Sequence, residues 1–316
     1  MDRSDLLARV ASLYYDQELT QDDVARRVGV SRSKISRLLK EARKEGIVEI
    51  VINYPWRTAP ALEKEIRERF EIPQVSVLVS QGRGYEEVLW GLGNLAARYL
   101  ESILEPGVSL GISWGTAIYQ TARSLRPELR LSIKVVQMIG AVGSSDPLID
   151  GPDLARFLAN LYGGEYHYLH VPLIVDDAGL VTGLMRESHV QQTLEMARNA
   201  DIALVGIGGV APEVSSFLRA GFLTRDELKN LENQGAAGDI CGRLYDIHGE
   251  KLDVPVDKRI IGIELDDLRQ IKHVVGVAGG EAKAKAILGA VQGKRITALI
   301  TDDMAARQVL RMADEL

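Results

Sequence analysis

The sequence predicts an α/β protein in two parts. A winged helix-turn-helix domain covers residues 1–56, and a mostly parallel, Rossmann-like α/β domain covers 57–316. Three observations carry this reading. Basic residues are concentrated in one short N-terminal stretch. That stretch is punctuated by helix caps and a turn glycine. Beyond it, β-branched runs alternate with helical patterns, and glycine-rich loops recur at the carboxyl ends of the runs.

A chain of 316 residues exceeds what one compact core usually holds, so two domains are expected. Cys241 is the one cysteine, which excludes an internal disulfide and a multi-cysteine metal site. The chain shows no bilayer-length apolar run and no charged-then-apolar leader. The expectation is therefore a reduced, cytoplasmic protein with no membrane partner, no metal and no cofactor. Net charge is −6, but it is unevenly spread. Residues 26–44 carry Arg26, Arg27, Arg32, Lys34, Arg37, Lys40, Arg43 and Lys44 against Glu41 alone. Residues 58–316 carry 27 basic and 35 acidic residues. A basic segment on an acidic body is the footprint of a localised polyanion-binding element.

Taking the elements in order, Leu6, Val10 and Leu13 give residues 3–16 a helical apolar face. Thr20 caps a second, short helix from Gln21 to Arg27, with Asp23 in a capping-box-like position. Gly29 follows, and Ser31 opens a third helix through Glu45, closed by Gly46. Ala25, Gly29 and Ile35 have the helix-turn-helix spacing: a small residue where two helices touch, a turn glycine, and an apolar anchor for the second helix. Val24, Val28, Val30, Leu38 and Leu39 complete a small core. Arg32, Ser33, Ser36 and Arg37 remain on the outer face of the third helix, the part that meets base edges in the major groove in such motifs. The candidate DNA-contacting set is Gln21, Ser31, Arg32, Ser33, Lys34, Ser36 and Arg37. Residues 47–53, IVEIVIN, have the composition of wing strands, and Pro55 and Pro60 mark a linker.

In the larger part, Leu62, Ile66 and Phe70 predict a short amphipathic helix. Strand-like runs follow at Val75–Val79, Val108–Ile112, Ile133–Ile139, Val171–Val175, Ile202–Ile207, Val274–Ala278 and Ile296–Ile300. Helical patterns lie between several of them, at Tyr85–Leu104, Pro152–Tyr162, Glu187–Asn199 and Ala282–Val291. Alternation of this kind predicts a mostly parallel sheet covered by helices. Gly111–Thr116, Gly206–Gly209, Gly279–Lys283 and Thr301–Asp303 each follow a run's carboxyl end, the edge where open α/β sheets bind ligands. One glycine loop means little, but four at one edge predict a polar-lined pocket.

The segment TQDDVARRVGVSRSKISRLLKEARKEGIVEIVI resembles the N-terminal domain of the SorC-type family of sugar-responsive bacterial transcription regulators. The likeness continues through GISWGT, GAAGDICGRLYD, VAGGEAKAKAILGA and ALITDD. The resemblance implies a homo-oligomer, a dimer or commonly a tetramer, that binds operator DNA. It implies an effector domain similar to phosphosugar isomerases and responsive to a phosphorylated sugar or related metabolite. It places the phosphate loop on Ser113, Gly115 and Thr116, an anion-neutralising ammonium on Lys283, and a hydroxyl-accepting carboxylate on Asp239. Read alone, Lys283 is equally a surface helix lysine and Asp239 equally a turn carboxylate. Gln137 in the third run and Gly208 in the second glycine loop complete the candidate effector set. Trp114 is included too, although a small or polar residue is expected there.

Gly111-Ile-Ser113-Trp-Gly115 also fits the Gly-x-Ser-x-Gly elbow of serine hydrolases. That reading needs an oxyanion loop of the His-Gly-Gly-Gly type, which the sequence lacks. It also needs one of His167, His170, His189, His248 and His273 beside Ser113. A phosphosugar isomerase fused to a DNA-binding domain is the stronger enzymatic alternative, with Asp239 or Asp302 as its base. A joined DNA reader makes a sensor with no catalytic residues the simpler expectation, with Ser113 part of an anion cradle.

Overall fold

The computed structural model describes residues 2–48, 55–143 and 150–316. They form two compact units, Met1–Pro55 and Trp56–Leu316. The wing expected over 47–53 lies mostly outside the described residues; Ile47 and Val48 lie in a bend.

The first unit holds helices α1 (Arg3–Tyr15), α2 (Gln21–Val28) and α3 (Arg32–Lys44). Its caps are the ones the sequence announces. Thr20 Oγ1 accepts from the Asp23 N–H, and Ser31 Oγ accepts from the Lys34 N–H. Gly29 closes α2 at φ 75°, a left-handed conformation that costs glycine little. Ala25, Ile35, Leu38, Leu39 and Ala42 pack with Leu7, Val10 and Val24 into a small core.

The second unit opens with α4 (Pro60–Phe70), β1 (Gln74–Leu78), α5 (Tyr85–Ile103), β2 (Ser109–Ile112), α6 (Thr116–Ser124) and β3 (Lys134–Gln137). It continues with α7 (Gly151–Tyr162), β4 (Glu165–His167), α8 (Ala178–Leu184), α9 (Ser188–Arg198), β5 (Ile202–Gly209), α10 (Ser216–Arg219) and α11 (Arg225–Asn233). It ends with β6 (Gly238–Ile240), β7 (Arg243–Tyr245), β8 (His273–Val277), α12 (Ala284–Gln292), β9 (Ala298–Asp302) and α13 (Asp303–Glu315). Seven strands run parallel in the order β1-β9-β8-β5-β2-β3-β4. Two apolar clusters fill the faces of this sheet, as a doubly covered parallel sheet requires.

Three expectations change. Val171–Val175 is not a strand: the segment makes isolated bridges, Ala141 with Pro172 and Ile174 with Ile260. Its apolar residues are there for burial (Leu173 is fully buried), and Pro172 has no N–H for a ladder. Gly206–Gly209 is not a loop. β5 runs on through Gly209 because β6 pairs with it antiparallel, Ile207 opposite Ile240 and Gly208 opposite Asp239. Thr301–Asp303 is not a loop either. β9 ends at Asp302, whose Oδ1 accepts from the N–H groups of Met304 and Ala305 and so caps α13.

Candidate functional site

In the first unit, the candidate DNA-contacting residues share one exposed region. Ser31, Arg32, Ser33, Lys34 and Arg37 are exposed, and Gln21 and Ser36 are half-buried. Ser31 spends its hydroxyl on the α3 cap and lies 3.0 Å from Ser33 Oγ. Arg32 is 3.8 Å from Asp22, an exposed contact of little energetic weight that leaves its guanidinium available. Arg37 and Lys40 are exposed farther along α3, and the first turn of that helix carries no acidic residue.

In the second unit, a small hollow, partly open to solvent, lies at the carboxyl edge of the sheet where β2 and β5 adjoin. The β2–α6 loop forms one wall. Ser113 is buried; its N–H donates to Leu204 O, and its Oγ accepts from the Gly206 N–H at 3.1 Å. Its hydroxyl proton remains available to a ligand. Gly115 takes φ 116°, which turns the chain so that α6 starts at Thr116 with its first N–H groups at the hollow. Trp114 also lines the hollow while packing part of its ring on the core.

The opposite wall holds the charges. Asp239 is 7% exposed and faces Gly208 across the β5–β6 pair; a Cβ at Gly208 would collide with its Oδ1. Gly208 therefore serves as clearance for this carboxylate. Burial pushes the Asp239 carboxyl up to about 6, opposed by the Lys283 ammonium, the Gly242 N–H and Arg219. Oδ1 has no hydrogen-bond partner among the described residues. Lys283 Nζ donates to Ile207 O at 2.9 Å. Burial pulls Lys283 down to about 8, with Asp239 holding it up and Arg219 adding to the depression. Cys241 lines the same wall with its thiol pushed up to about 12 by burial and by Asp239, so it stays an inert thiol at neutral pH.

Ser113, Trp114, Gly115, Thr116, Gly208, Asp239 and Lys283 thus line one hollow. Gln137 does not. It is fully buried on β3, one strand beyond β2, with Oε1 accepting from the Leu169 N–H. Ser216 and Arg219, from the short helix α10, line the hollow without being part of the expected set. Arg219 belongs to no sequence motif, and only the fold brings it to the site.

The hydrolase reading would require a histidine beside Ser113 in the hollow. No histidine lines it among the described residues, and Ser113 Oγ is bonded to a backbone N–H. Asp302 does not line the hollow: its Oδ1 caps α13, and its Oδ2 accepts from the Gly280 N–H. Among the described residues no cluster of His, Cys, Asp or Glu could hold a metal, and no helix is long and apolar enough to cross a membrane.

Comparison with known proteins agrees with this architecture. Residues 55–311 match the family model described as "Putative sugar-binding domain", and residues 7–45 match "Sigma-70, region 4". The chain is 34% identical to the sorbitol operon regulator of Klebsiella pneumoniae, over 98% of this chain and 100% of that one. It is 31% identical to the deoxyribonucleoside regulator of Bacillus subtilis (strain 168), over 98% of each. The crystal structure of the full-length sorbitol operon regulator SorC from Klebsiella pneumoniae superposes with a TM-score of 0.75 at 32% identity, covering 98% of this chain and 99% of that one. The chain belongs to the SorC-type family of transcriptional regulators, with a helix-turn-helix unit followed by a sugar-binding α/β domain.

Proposed function

We propose that the protein is a non-enzymatic regulator whose grip on operator DNA is set by a phosphorylated sugar or related metabolite bound in the α/β unit. The observation that carries this is the hollow itself. One wall offers hydroxyls and a helix start to an anion, and the other offers Asp239 to sugar hydroxyls. Ser113 and Thr116 hold the phosphate with the α6 N-terminus, and Lys283 and Arg219 supply positive charge. Arg32 and Arg37 read bases, while Lys40 and Lys44 meet phosphates. The protein acts as a homo-oligomer, because paired half-sites need paired readers.

A thermal-shift screen of phosphorylated against unphosphorylated sugars tests the effector class. Ligands that bind the native state raise its apparent stability, so a phosphorylated compound should shift the α/β transition while its unphosphorylated parent does not. Equal shifts from both would remove the phosphate from the account. Conversion of the bound compound into an aldose–ketose partner, followed by NMR, would establish the isomerase reading instead.

A further inference from the structure

We propose that helix α5 carries the state of the hollow to the start of the linker, touching α6 through Gly93 and Trp56 through Gly91. This route rests on the effector reading above and says how that reading acts within the α/β unit. α5 holds both glycines in its interior, where each costs about 1 kcal/mol of helix propensity relative to alanine. Both are points of close approach. A Cβ at Gly93 would stand 2.6 Å from the Gln120 carbonyl carbon and 2.7 Å from its oxygen. A Cβ at Gly91 would stand 2.9 Å from the Trp56 ring and 2.7 Å from a Leu78 methyl. Residues two apart in a helix point about 200° apart, so α5 is gripped from opposite sides.

Each grip leads to a functional end. Gln120 lies one turn after Thr116, which opens α6 at the hollow. α6 is seated firmly: Ile118, Thr121 and Ala122 are fully buried, and Thr121 Oγ1 donates to Ala117 O. An anion drawn to the first N–H groups of α6 therefore pulls on the helix as a body. The Gln120 backbone bears on α5 where Gly93 has no side chain to absorb the shift. At the other grip, Trp56 is buried, with its ring 5.6 Å from that of Trp90 on α5 and 4.6 Å from the Arg83 guanidinium. The next residues are bonded to β1, the Val79 N–H donating to Arg57 O and the Ala59 N–H to Val77 O. Trp56 is also the first residue of the α/β unit, covalently joined to Pro55 of the other. Close-packed contacts thus run from the anion cradle to the bond that joins the two units, the kind of continuous path along which small shifts are amplified.

Tryptophan itself supplies the reporter. In the full chain, 5-fluorotryptophan labelling gives three 19F resonances, for Trp56, Trp90 and Trp114, with Trp56 assigned by its loss in Trp56→Phe. Inorganic phosphate is the probe, titrated against chloride at matched ionic strength. Trp114, which lines the hollow, should report binding, and Trp56 should shift with the same midpoint. Thr116→Val should raise both midpoints about tenfold, through loss of one hydrogen bond to a charged group. Gly93→Ala, which forces α5 and α6 apart, should keep the Trp114 shift and reduce that of Trp56. Hydrogen exchange of the wild type is the second readout, independent of whether that variant folds: phosphate should change protection in residues 85–103 and 56–59. Saturation at Trp114 with Trp56 and α5 unmoved, or an undiminished Trp56 shift in folded Gly93→Ala, overturns the route and leaves the effector reading standing. No phosphate binding at all overturns the anion cradle and the route together.

Discussion

The two units place their candidate functional groups in different ways. In Met1–Pro55 most of the candidate contacts are exposed, over a core of small and medium apolar side chains. In Trp56–Leu316 two of the candidate groups are buried: Ser113 is 3% and Asp239 7% exposed. A surface site needs only a folded support, so its residues can sit close together in sequence, here within 21–37. A buried site must satisfy or tolerate every polar group it encloses, and it draws on residues from 113 to 283.

This contrast can be broken one unit at a time. The largest effect is expected from Ile35→Ala, which removes a fully buried anchor of the small core. A loss of about 2–5 kcal/mol should melt the first unit while the α/β unit keeps its own unfolding transition, as read by calorimetry. Equal loss in both transitions would mean that the units do not fold independently.

The second effect is a pH dependence of the α/β unit. Asp239 ionises near its ordinary 3.8 when unfolded and at about 6 when folded. Between those values the folded state binds more protons, so stability falls as pH rises from about 4 to about 6. The contribution is at most about 3 kcal/mol. Asp239→Asn should flatten that slope in denaturant midpoints measured across the window; an unchanged slope would assign it to other groups.

Gly208→Ala should follow, costing about 1–3 kcal/mol of stability in the α/β unit, because the new methyl must displace the Asp239 carboxylate. Effector binding should fall with it, and the first unit's transition should not move. The smallest effect is Ser31→Ala, about 1 kcal/mol from loss of the α3 cap, confined to the first unit.

What can be read from the sequence follows the same division. Thr20, Gly29 and Ser31 act on neighbours within a few residues, so caps and turn are readable directly. Alternation foreshadows the seven-stranded parallel sheet, yet β4 escapes notice because three residues at an edge carry little apolar pattern. Val171–Val175 misleads because β-branched residues signal burial as readily as a ladder. Asp302 reads as a pocket residue, but its local N–H partners claim it as a helix cap. Arg219 requires the third dimension: nothing near it in sequence predicts that α10 lines the hollow.

The central claim is that the two units are coupled through one effector, and linkage tests it most directly. Operator duplexes selected from random DNA would be titrated by fluorescence anisotropy with and without the phosphorylated compound found in the screen. The account predicts that saturating effector changes operator affinity by roughly 5–150-fold, that operator changes effector affinity by the same factor, and that Thr116→Val needs more effector to reach it. Operator affinity identical with and without a saturating, bound effector would contradict it.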